Sequence, residues 1–119
     1  MNISSGKTVF FLWISLLSFC GDGGKNHSWE VASKVHSGAK IVDVRTAHEF
    51  SKGHYPGAVN IPVEEIEDRI HSLESYKHRT VVLYCESGQR AGKAKKILEA
   101  NGFRTVYNAG GLEDMPAVK

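Results

Sequence analysis

Thr80-Val81-Val82-Leu83-Tyr84-Cys85-Glu86-Ser87-Gly88-Gln89-Arg90, running on into Ala91 to Ala100, decides the fold. Its apolar run is continuous rather than alternating, the mark of a strand buried on both faces, as in a parallel sheet. The residues from Ala91 are rich in Ala, Lys, Leu and Glu and stop at Asn101-Gly102, so they read as a helix. Cys85 therefore stands where a buried strand gives way to a helix, at the open carboxyl edge where such sheets bind ligands. Ser87 and Gly88 lead into the helix N-terminus, so backbone N–H groups and the positive dipole end can converge on Cys85. Surroundings of that kind favour the thiolate, the nucleophilic form of cysteine. Gly88 suits a tight loop that must approach an anion, and Arg90 adds a fixed positive charge at the rim. By residue type alone, Cys85 also fits as a small buried hydrophobe.

Upstream, Ser28 is placed to cap a short helix from Trp29 to about His36, closed by Gly38. Ala39 to Val44 reads as a short strand. Thr46 and Glu49 have capping-box spacing over one helical turn, and Gly53-His54-Tyr55-Pro56-Gly57 is turn chemistry before an extended piece at Ala58 to Ile61. Val63, Ile66, Ile70 and Leu73 recur every three or four positions and predict an amphipathic helix over 63–73. Thr105 to Asn108 is a last strand before Gly110-Gly111. Strands alternating with helices imply an α/β domain: a central parallel sheet flanked by helices on both faces.

The 119 residues allow one domain, and 41% hydrophobic with 24% charged residues is ordinary globular usage, which excludes a disordered chain. A net charge of +2 without a basic block gives no footprint for nucleic acid. Two cysteines cannot build a multi-bridge scaffold and neither sits in a Cys-x-x-Cys pair, and no two of the six histidines have His-x-x-x-His spacing, so no metal is expected. Lys7 precedes the apolar run Val9 to Cys20, which as a helix would span about 18 Å against a hydrocarbon core of roughly 30 Å. Residues 1–20 therefore read as an export signal, followed by a flexible spacer at 21–27 and the domain at 28–119. Leu17-Ser18-Phe19-Cys20 also resembles a lipoprotein processing site, with Cys20 as the lipid-bearing residue, although Phe19 departs from the small residue expected there. The expected location is periplasmic or cell-envelope, with possible membrane anchoring through Cys20.

Three separated motifs, Ile41-Val42-Asp43-Val44-Arg45, Gly53-His54-Tyr55-Pro56-Gly57-Ala58 and Cys85-x-x-Gly88-x-Arg90, together resemble the rhodanese-like sulfurtransferases over about residues 39–119. The resemblance implies a cofactor-free, monomeric sulfurtransferase. Cys85 would take a sulfane sulfur from thiosulfate or a related donor, hold it as a persulfide, and give it to cyanide or a thiol. The loop Glu86, Ser87, Gly88, Gln89 and Arg90 would stabilise the persulfide charge, with Arg45 near the pocket. Rhodanese-fold phosphatases carry a Cys-x5-Arg loop; the Cys-x4-Arg loop here implies a tighter cradle, suited to sulfur. A sulfur carrier and a silent binding or regulatory module are the alternatives.

Glu86 is a departure, because a carboxylate beside the nucleophile repels a dianionic donor. Met115 stands near where relatives carry an aromatic residue, which implies a more pliable wall. Asp43 reads as a fastener of loop amides rather than a general base, Glu49 as a cap or ion-pair partner, and His54 as a turn residue. Lys93, Lys95 and Lys96 read as a solvated face that could also draw anions. A Cys20–Cys85 disulfide would need the leader folded back and is not expected.

Overall fold

A computed structural model describes residues 24–118. Its sheet is four-stranded and wholly parallel, in the order β2-β1-β3-β4: β1 is Lys40–Asp43, β2 Val59–Asn60, β3 Thr80–Cys85 and β4 Thr105–Gly111. Among the described residues three α-helices accompany it, α1 (Ser28–His36), α2 (Ala47–Ser51) and α3 (Gln89–Ala100). Strand β3 lies between β1 and β4, and Val81 to Tyr84 are each 0% exposed, as the continuous apolar run predicts.

Alternation along β3 sorts the core into two layers. Val81, Leu83 and Cys85 face Ala91, Ala94 and Leu98 of α3 together with Ile66 and Leu73. Val82 and Tyr84 face Val31 of α1, Tyr55, Ala109 and Met115 on the other side. Cys85 thus belongs to a packed layer, and the α3 N-terminus is fixed over it by buried alanines rather than by a mobile loop.

Several expectations change. The helix predicted over 63–73 is two 3-10 segments, Val63–Glu65 and Ile70–Tyr76. Val63 with Ile66, and Ile70 with Leu73, are three apart, which matches the three-residue turn of a 3-10 helix, and Arg69 at φ −110° and ψ 15° separates the pieces. Ser28 is the first residue of α1 and not its cap; His27 takes that place, without a side-chain hydrogen bond. Helix α3 begins at Gln89, two residues before the expected Ala91. Strand β4 continues through Gly111, with a register shift opposite Leu83 and Cys85.

The segment read as a spacer at 21–27 is described from Gly24 onward, and there it is tied down. Asn26 donates its N–H to the Asn108 carbonyl at 2.7 Å, Asn108 returns its N–H to Asn26 Oδ1 at 2.8 Å, and Lys25 pairs with Asp114 at 3.2 Å. Composition suggested flexibility; the side-chain pairing of Lys25 and Asn26 overrides it. Cys20 and the apolar run before it lie outside the described residues. Among the described residues no helix is long and apolar enough to cross a membrane.

Candidate active site

Cys85 is the last residue of β3, a free thiol 1% exposed. Its Sγ accepts the N–H of Gly88 at 3.0 Å and that of Ala91 at 3.4 Å. Both donors belong to the first turn of α3 or its cap, so the sulfur sits where the helix's unpaired N–H groups and dipole favour negative charge. Gly88 caps the helix at φ +95°, a left-handed conformation that side chains rarely adopt, and a Cβ there would lie 3.2 Å from Gly110 Cα.

The loop is held from outside by β4. Asn108, 1% exposed, donates from Nδ2 to the Gly88 carbonyl at 3.0 Å and accepts the Gly110 N–H at 2.9 Å. A Cβ at Gly111 would collide with the Glu86 carbonyl, so the backbones of loop and strand pass in direct contact. Asp114 accepts the Gly111 N–H at 2.8 Å, and that hydrogen bond, helped by Lys25, holds its carboxyl below the usual range. From the sequence, Thr105 to Asn108 reads as a strand ending before Gly110-Gly111, with no role in holding the loop. Paired glycines after a strand were the available clue, because a backbone that must lie against another backbone has no room for Cβ.

The two arginines are both engaged. Arg90 forms a two-point pair with Glu49, at 2.8 Å and 3.1 Å, and only then reaches toward Glu86, at 4.0 Å. Glu49 also accepts the Thr46 amide at 2.9 Å in a complete capping box, so it is at once cap and ion-pair partner, joining α2 to the start of α3. Arg45 donates its backbone N–H and Nε to Asp43 Oδ1 at 2.9 and 3.0 Å, and its Nη2 to Asp43 Oδ2 at 2.7 Å and to the Gly53 carbonyl at 2.8 Å. Asp43 is 0% exposed and does fasten the adjoining loop. Its hydrogen bonds push the Arg45 guanidinium above its usual value, and burial pushes the Tyr84 phenol up to about 12. His54 Nδ1 lies 3.0 Å from the Phe50 carbonyl and its ring stacks on Phe50, a turn-forming role.

The Arg90 guanidinium, with the Thr46 amide, holds the Glu49 carboxyl down at about 2. A carboxyl whose folded value lies below its unfolded one stabilises the fold above the unfolded value and loses that contribution as pH falls through the folded one. Glu49→Gln should therefore destabilise fully above about pH 5, with the gap to the parent protein closing between about pH 4.5 and 2. Urea unfolding at stepped pH checks this; a gap that stays constant over that range overturns it.

Two hollows flank the loop. One, about 560 Å³, is bordered by Arg45, Glu49, Lys52, Glu86, Leu112 and Glu113. The other, about 540 Å³, is bordered by Lys25, Ser87, Gln89, Lys93 and Lys96. Glu86 and the pair Lys93 and Lys96 thus open on different sides, and Lys95 instead donates to Asn26 Oδ1 at 3.3 Å. Of the residues singled out from sequence, the structure brings Cys85, Gly88 and the backbone of the loop together. Arg45 and Arg90 stand beside them as clamped cations. Among the described residues no cluster of three or more His, Cys, Asp or Glu side chains suited to a metal occurs.

Comparisons with known proteins place the fold in a family. Residues 29–115 match the rhodanese-like domain. The chain is 44% identical over 80 residues to the thiosulfate sulfurtransferase PspE of Escherichia coli (strain K12), covering 66% of this chain and 77% of that protein. It is 37% identical over 68 residues to the putative sulfur carrier protein YrkF of Bacillus subtilis (strain 168), covering 57% of this chain and 36% of the other. A solved rhodanese with anions from E. coli superposes with a TM-score of 0.61 at 42% identity, covering 68% of this chain and 98% of that one. With its parallel sheet, its glycine-turned cysteine loop and these matches, the chain belongs to the rhodanese-like family.

Proposed function

We propose that this protein is a sulfurtransferase that moves a sulfane sulfur from thiosulfate or a related donor to a thiophilic acceptor, cyanide or a thiol, through a Cys85 persulfide. The carrying observation is the pair of loop N–H groups directed at Cys85 Sγ from the start of α3. The Cys85 thiolate attacks the outer sulfur of thiosulfate, a sulfur–sulfur bond forms to Sγ, and the donor's own sulfur–sulfur bond breaks with sulfite leaving on the electron pair. An acceptor thiolate then attacks the same outer sulfur, and Cys85 leaves as thiolate. No outside oxidant or reductant enters either step.

Negative charge rests on Cys85 at the start and end of the cycle and on the persulfide between, so fixed N–H donors act throughout without reorganising. Asn108, Gly110 and Gly111 position that loop. Arg90, paired with Glu49, orients the α3 N-terminus, and Arg45, paired with Asp43, supports the wall beside Glu86. Export directed by the apolar run before Cys20, with the mature domain acting as a monomer outside the cytoplasm, completes the reading.

Incubating the protein with thiosulfate and measuring intact mass tests it. The expected result is a gain of one sulfur atom, reversed by cyanide with release of thiocyanate. No gain overturns the persulfide and favours a silent binding module. The likeness to YrkF supports a second reading, a carrier that loads sulfur but discharges it only to a partner protein. Many turnovers with cyanide or small thiols favour the enzyme; a single loading without turnover favours the carrier.

A further inference from the structure

The hollow of about 560 Å³ beside Glu86 carries both signs of charge along its border, but they are not equally available. The Arg45 guanidinium is held at 2.7 Å by Asp43 and at 2.8 Å by the Gly53 carbonyl, and the Glu49 carboxylate is held at 2.8 Å by Arg90. These pairs cancel. What faces an incoming molecule is Glu86, Glu113 and Lys52, all exposed. The Glu86 side chain is 80% exposed, and among the described residues its one ion-pair contact is a long 4.0 Å approach to an Arg90 already bound to Glu49. Neither Glu113 nor Lys52 has an ion pair among the described residues. Two uncommitted carboxylates against one ammonium leave the border net negative, and Glu86 adjoins the nucleophile in the chain.

We infer that Glu86 and Glu113 set the acceptor specificity of the site, selecting thiols that carry an ammonium group beside the sulfur, the aminothiol class, over anionic thiols. This rests on the persulfide reading above. An aminothiol reacts as its thiolate and brings its cation with it, so its ammonium is drawn to the carboxylates as its sulfur approaches the persulfide. The thiolate forms a bond to the outer sulfur, the sulfur–sulfur bond to Cys85 breaks, and Cys85 takes the electron pair as thiolate. The persulfide anion takes up a proton from solvent before it is attacked, and that proton stays on the outer sulfur, giving the acceptor persulfide. A carboxylate about 6 Å from the ammonium, across partly wet and salt-screened space, changes the encounter by about three- to tenfold. The same field opposes thiosulfate, a dianion, so the donor step is slowed where the aminothiol step is helped.

The experiment uses protein preloaded with sulfur by thiosulfate and freed of excess donor. Discharge by cysteamine, 2-mercaptoethanol and 3-mercaptopropionate is followed by intact mass at equal thiolate concentration, for the parent and for Glu86→Gln/Glu113→Gln. Comparing each acceptor between the two proteins removes the acceptor's intrinsic reactivity. The cysteamine to 3-mercaptopropionate rate ratio should fall by about five- to thirtyfold in the double variant, with 2-mercaptoethanol changing less than about twofold. About 0.5 M salt should compress the parent's ratio in the same direction, and Lys52→Gln should raise it. Glu86→Gln should also raise kcat/KM for thiosulfate several-fold at low salt. A ratio equal within twofold in parent and double variant, on protein that loads sulfur normally, overturns the inference and leaves the sulfurtransferase reading intact. Failure to load sulfur at all overturns that reading first, and this one with it.

Discussion

Replacing Cys85 with serine is expected to abolish sulfur loading and transfer while leaving the fold in place. Sγ is buried among Leu83, Ala91 and Ala94 and accepts N–H groups from Gly88 and Ala91. A serine oxygen is smaller, occupies nearly the same site and accepts the same two hydrogen bonds, so stability should change by no more than about 1 kcal/mol. The chemistry has no such substitute. A hydroxyl without an adjacent base is not ionised at neutral pH: Asp43 and Glu49 are both held by arginines, and the Glu86 side chain is 80% exposed. Intact mass after thiosulfate should show no added sulfur, and cyanide-dependent turnover should fall below a few per cent of the parent, with Tm within about 8 °C of the parent's. Turnover above that level would mean that another group carries the sulfur. Among the described residues there is no second cysteine to do so.

The same loop shows why part of the site was legible from sequence and part was not. The strand, the cysteine, the glycine and the helix after it are contiguous, and each is dictated by local chemistry: a continuous apolar run, a left-handed turn at Gly88, a helix-forming segment beyond. The sheet and its two-sided burial followed from the same run. The partners of Arg90 and the hold on the loop are not local. Glu49 lies 41 residues from Arg90, and Asn108 lies 20 residues from the Gly88 carbonyl it grips. Spacing cannot show such pairs; only the parallel order of strands, which sets the ends of β1, β3 and β4 side by side, brings them together. Thr46 and Glu49 announced a capping box correctly because both halves of that motif fall within one turn. The 63–73 segment misled for the opposite reason. Its apolar spacing satisfies a helix and two 3-10 turns alike, and packing of Ile66 and Leu73 under the sheet decides between them.

The second large effect is expected at Asp43, and it is one of stability. Asp43 is wholly buried, and its two oxygens receive the backbone N–H, Nε and Nη2 of Arg45, itself 8% exposed. Arg45 also lies over the Tyr84 ring, and Asn60 donates to the Asp43 and Arg45 carbonyls at 2.9 Å, so the end of β1 is surrounded on every side. Asp43→Ala would leave a guanidinium and a backbone amide desolvated without their acceptor. Breaking a buried pair by removing one partner costs about 3–5 kcal/mol, which for a domain of this size lowers Tm by about 15–30 °C. Much of that loss is the cost of the stranded charge and not of the missing attraction. Removing both charges, in Asp43→Leu/Arg45→Met, should therefore recover at least half of it, since apolar replacements of similar volume often match a buried ion pair. Urea unfolding of the two variants and the parent reads this directly. A loss below about 1 kcal/mol in Asp43→Ala would mean that water reaches the pair, and a double variant no better than the single one would mean that the hydrogen bonds to the Arg45 amide and the Gly53 carbonyl, rather than the charge, hold this corner. Either result would also bear on the hollow beside Glu86, because its net negative border depends on Arg45 remaining bound to Asp43.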